Sequence, residues 1–102
     1  MSRYLIKLYP VYPCDDYKIV NLDILKPDYD NETKNIGFNN IRGYVQQMYD
    51  IYQFAVERYG LDKHGITYYN NSIWALVEAE NTVLASDIFK QKLEEQAKDH
   101  ED

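Results

Sequence analysis

Across residues 3–11, Tyr4, Ile6 and Leu8 alternate with Leu5, Lys7 and Tyr9, a two-residue period that only an extended strand satisfies. The period returns at residues 17–25, where Val20, Leu22 and Ile24 are expected to face inward and Asn21 and Asp23 outward. Pro10 and Pro13 limit ladder pairing and push the far end of the first stretch to a sheet edge or a turn. The first quarter of the chain therefore reads as a hairpin.

At residue 41 the period changes. Ile41, Val45, Met48, Tyr52, Ala55, Val56 and Tyr59 all fall within about 60° of the direction of Ile41 on a helical wheel, so residues 41–59 read as an amphipathic helix. Asn40 suits its N-cap and Gly60 its C-terminal stop. Ile51 and Phe54 lie well round one flank of that stripe, and an apolar arc so wide implies two surfaces of contact. The first expectation for the second surface is the C-terminal helix. The alternative is self-association through Ile51 and Phe54, giving a homodimer.

Residues 66–69 and 72–79 flank Asn70-Asn71, and asparagines in tandem tolerate the positive φ of a type I′ turn, so a second hairpin is expected. A competing reading makes Ser72 an N-cap and begins a helix at Ile73. From Asn81 or Thr82 the spacing of Leu84, Ala85, Ile88, Phe89, Leu93 and Ala97 is helical again. Residues 26–39 are crowded with Asp and Asn, hold Pro27 and Gly37, and read as a loop. The expected fold class is α+β, in the order ββαββα. A small antiparallel sheet of two hairpins carries both helices on one face, in one domain over residues 1–98 with a frayed acidic tail at 99–102.

With 102 residues, 45% apolar and 15% aromatic, the chain is long enough for a core and too rich in aromatics for disorder. Runs such as residues 73–77 are far shorter than the ~20 apolar residues a spanning helix needs, and no signal-peptide segment follows Met1-Ser2-Arg3. A lone Cys14 suits a reducing compartment, so a cytoplasmic location without membrane association is expected. Codon families rich in A and T (Tyr, Asn, Ile, Lys) point to a low-GC bacterium or its phage, hence to the bacterial host cytosol.

The net charge of −6 weighs against direct nucleic-acid binding, which needs Lys and Arg to displace phosphate counterions. The acids concentrate in residues 14–32 and 78–102. Asp28, Asp30 and Glu32 alternate as a calcium loop begins, but Thr33 stands where its glycine belongs and Asn39 where its final glutamate belongs. His64, His100 and Cys14 lack zinc spacing. No phosphate loop or nucleophile elbow stands out, so neither catalytic residues, metal ligands nor cofactor are expected.

What remains is a non-enzymatic, protein-binding or regulatory module. Carboxylates on a folded surface imitate phosphates, and a small acidic chain from a phage or mobile element could block a basic nucleic-acid-handling protein in this way. Asp15, Asp16, Asp28, Asp30 and Glu32 are the expected contact, anchored by Tyr12, Tyr17 and Tyr29. The alternatives are a small enzyme or ligand-binding domain, and a self-associating structural subunit.

Overall fold

The computed structural model describes residues 1–10, 15–23, 26–30 and 41–99. Its elements are β1 (Ser2–Tyr9), β2 (Asp16–Asn21), β3 (Lys26–Asp30), α1 (Ile41–Tyr59), β4 (Ile66–Tyr69), β5 (Ser72–Ala79) and α2 (Thr82–Asp99). The α+β class and both expected hairpins hold. All strands join one antiparallel sheet in the order β3-β2-β1-β5-β4.

β1 is the middle strand because its residues are apolar on both sides. Leu5 pairs Val20 on one flank and Leu76 on the other, and Ile6 pairs Ile19 and Ala75. The β4–β5 hairpin closes through Asn70 and Asn71, with φ of 54° and 64°, the left-handed pair that a two-residue type I′ turn requires. This excludes a helix starting at Ile73. Asn81 caps α2 instead: its Oδ1 accepts the Leu84 N–H at 2.9 Å and its carbonyl the Ala85 N–H at 3.0 Å. Gly60 stops α1 as expected, at φ +76° with its N–H bonded to the Val56 carbonyl.

Three expectations need correction. First, residues 26–39 do not form one loop, since Lys26–Asp30 pairs with β2 as an edge strand. An edge tolerates Pro27, and a register shift between Ile19 and Val20 absorbs the irregularity. Second, β2 ends at Asn21, and Leu22 and Asp23 turn back. There the Leu22 N–H bonds to the Arg3 carbonyl, and Arg3 Nε donates to Asp23 Oδ1 at 3.0 Å. The Arg3 backbone N–H, which also donates to this carboxylate, and then the side-chain contact hold the Asp23 carboxyl below its ordinary range. Asn21, expected outward, is buried.

The third correction is architectural: the helices lie on opposite faces of the sheet. Tyr4, Ile6, Ile19, Ile66, Ala75, Val77 and Ala79 pack with Ala85 and Phe89 of α2. The residues between them, Leu5, Val20 and Trp74, pack with Val45, Met48 and Tyr52 of α1. Connectivity explains the division. The chain leaves β3 at one edge and re-enters at β4 on the other, roughly 19 Å away for five strands, and a 19-residue helix of about 28 Å is long enough to cross. α1 accordingly touches both β3 and β4, whereas α2 covers β5 and β1. Strands apolar on both sides then need a cover on each. The expected α1–α2 packing gives way, and the flank of Ile51 and Phe54 faces something else.

Candidate interaction surface

That flank meets β4. Phe54 stands edge-on to Tyr69, with ring centroids 5.7 Å apart and planes at 71°, and Tyr59 tilts onto the same ring at 6.1 Å. Trp74 Nε1 donates to the Tyr69 carbonyl at 3.4 Å, fixing the strand end under these rings. Contact with a single ring at the edge of the sheet covers only part of each of the two helix side chains. Phe54 and Tyr59 therefore stay 48% and 60% exposed. On the opposite side of β4, Tyr68 is 53% exposed, and Leu61 beside it 47%.

The result is an aromatic rim around the outermost strand. Three shallow concavities adjoin it: one between Tyr59, Tyr69 and Asn71, one beneath Phe54 beside Ile51 and Asp50, and one between Tyr59, Leu61 and Tyr68. Rings with an apolar body and a polar tip suit a surface that alternates between water and a partner. The sequence signalled Ile51 and Phe54, but not Tyr59, Leu61, Tyr68 and Tyr69. The surplus of eleven tyrosines was the only hint of them.

The expected acidic contact is divided by the fold. Asp15 is exposed, but Asp16 is buried and bonded to Lys18 Nζ at 3.1 Å, with the lysine side chain only 5% exposed. Neighbours on a strand face opposite ways, so Tyr17 turns under α2. There its hydroxyl donates to Ser86 Oγ at 3.1 Å, its ring lies 6.0 Å from Phe89, and burial pushes its phenol pKa up. Asp16 is thus an interior group, a correction to its expected role as a partner contact, whereas Tyr17 is half-buried with part of its ring still open. Asp28, Tyr29 and Asp30 sit on edge strand β3, whose strand pairing replaces the calcium-loop geometry weighed for this stretch. Tyr12 and Glu32 lie outside the described residues.

A second groove runs beside α2, which leaves the β2 side of its face uncovered. Leu8, Tyr17, Phe89 and Leu93 line it, with Asp15 and Lys90 at its mouth. Among the described residues no cluster of His, Cys, Asp and Glu could hold a metal, and no helix is long and apolar enough to cross a membrane. No family model, curated protein or solved structure matches the chain.

Proposed function

We propose that the protein is a non-enzymatic binding module that engages a basic protein through the aromatic rim of α1 and β4. The observation that carries this reading is the exposure of Phe54, Tyr59 and Tyr68 around one strand end, where packing within the chain leaves large rings half in water. Aromatic anchors of this kind supply most of the binding energy of protein interfaces. The net charge of −6 supports a basic partner, such as a nucleic-acid-handling protein with a groove of Lys and Arg, because opposite charge accelerates encounter. Asp28 and Asp30 lie on β3, at the edge of the sheet opposite the rim, so their part in this reading is steering rather than anchoring.

Capture from a host-cell lysate tests the division of labour. The immobilised wild type is expected to retain a basic protein at low salt, a Phe54→Ser, Tyr59→Ser variant to lose it, and an Asp28→Lys, Asp30→Lys variant to hold it more weakly. Raising the salt should weaken the wild type toward the charge-reversed variant. Equal retention by the aromatic variant would overturn the reading.

A further inference from the structure

The outer edge of β4 is exposed to pairing, and the loop between α1 and β4 stands in its way. In a two-residue hairpin the residues closing the turn exchange hydrogen bonds, so Tyr69 and, two positions back, Thr67 aim their backbone groups at β5. Ile66 and Tyr68 therefore aim theirs outward. Both outward groups of Ile66 are taken by a single residue. The Ile66 N–H donates to Asp62 Oδ1 at 3.0 Å, and the Ile66 carbonyl accepts the Asp62 N–H at 2.9 Å. Asp62 Oδ1 also accepts the His64 N–H at 2.8 Å, and the Gly65 N–H returns to the Asp62 carbonyl with Gly65 at φ +79°.

The loop is fastened from outside as well. Gln96 of α2 donates to Asp62 Oδ2 and accepts from the Tyr68 hydroxyl, and Lys92 Nζ donates to the His64 carbonyl at 2.9 Å. Asp62 thus imitates a sixth strand for one residue pair and then leads the chain away. Among the described residues of β4, only Tyr68 keeps outward backbone groups for a new strand.

We propose that the Asp62 loop guards the β4 edge against strand pairing with β4 of a second copy of this chain. Antiparallel β4–β4 pairing about a two-fold axis is self-complementary: with Thr67 at the axis, Ile66 of each copy meets Tyr68 of the other, and all four residues exchange backbone bonds. With the guard in place Ile66 is spent, and only a single Tyr68–Tyr68 pair remains, too little to hold two copies. Leu61 and Tyr68, both half in water, add apolar surface to the opened edge. The inference concerns self-pairing and stands whether or not the rim binds a partner.

Sedimentation of the purified full chain, beside amide hydrogen exchange, is the test. In the wild type the Ile66 amide should exchange slowly and the Tyr68 amide fast. Asp62→Ala should tighten self-association by about tenfold or more relative to wild type and slow the Tyr68 amide as concentration rises. Asp62→Asn, which keeps an acceptor oxygen, should behave as wild type. Adding Tyr68→Pro to Asp62→Ala should restore the wild-type state, since the lost N–H faces outward and not into the ladder. Gln96→Ala is the milder variant, loosening Asp62 without touching the Ile66 bonds, and should tighten self-association in the same direction. A folded Asp62→Ala chain that associates no better than wild type would overturn the proposal, as would slow Tyr68 exchange in the wild-type monomer.

Discussion

The two faces of the sheet differ in kind. Under α2 the buried layer is apolar from strand to strand, from Ile19 through Ile6, Ala75 and Ile66 to Phe89. Under α1 the layer begins in the same way with Val20, Leu5 and Trp74, but the rows beside them are polar. Lys18 and Asp16 form their buried pair there, Lys7 Nζ lies 5.4 Å from the centre of the Trp74 ring, and Thr67 sits next to Trp74 in the register. A uniform apolar layer supplies stability in proportion to area. A mixed layer supplies less and fixes which groups lie opposite which. The face that gives up apolar area is also the one whose helix carries the half-exposed Phe54 and Tyr59.

This contrast predicts where substitutions hurt most. Phe89→Ala should cost about 4 kcal/mol in a denaturant titration followed by the fluorescence of Trp74, the chain's single tryptophan, because Phe89 is fully buried in the apolar cluster between α2 and the sheet and its loss leaves a cavity there. A loss under 1 kcal/mol would break the distinction. Next, Lys18→Ala should cost about 3 kcal/mol by removing the ammonium from beside the buried Asp16 carboxylate. Combining Asp16→Ala with Lys18→Met should recover most of that loss, since what destabilises is the charge left behind. Asn71→Ala should cost about 1–2 kcal/mol because alanine resists φ +64°, whereas Asn71→Gly should cost nothing; thermal melting of both variants checks this.

The smallest of these effects is a pH response at the loop. Burial works to raise the Asp62 pKa, but hydrogen bonds from the Ile66 and His64 N–H groups and from Gln96 outweigh it and lower the value below the ordinary 3.8. A carboxyl lowered by folding adds stability above its unfolded pKa and loses it as pH falls through the folded value. The Ile66 amide, corrected for intrinsic exchange, should therefore lose protection only below about pH 3.8, and Asp62→Asn should flatten that dependence.

Much of this fold could be read in the chain. Both hairpins followed from alternation, and Asn70-Asn71, Gly60 and Asn81 marked the turns and helix ends they form. The two-faced burial was also written there, in Tyr4-Leu5-Ile6, Ile19-Val20 and Trp74-Ala75-Leu76-Val77, runs with no polar alternate that signal strands covered on both sides. Taking Val20, Leu22 and Ile24 as the inward set hid Ile19, which lies under α2. β3 was not legible, because Pro27, Asp28 and Asp30 disfavour a strand and only pairing with β2 makes one. Asp16 looked like surface charge because nothing local shows that Lys18, two residues on, is buried on the same face. The rim was half legible: a helical wheel finds Ile51 and Phe54 in excess, but Tyr59, Tyr68 and Tyr69 join them only once α1 is known to pack on β4.

The claim that the rim serves binding rather than folding is tested most directly by the unfolding free energy of the Phe54→Ser, Tyr59→Ser variant. Half-exposed rings removed from the end of the sheet should cost about 1 kcal/mol or less together, with the cooperativity of unfolding unchanged. A loss approaching that of Phe89→Ala would show that the rim belongs to the core, and would contradict the reading of this surface as a binding site.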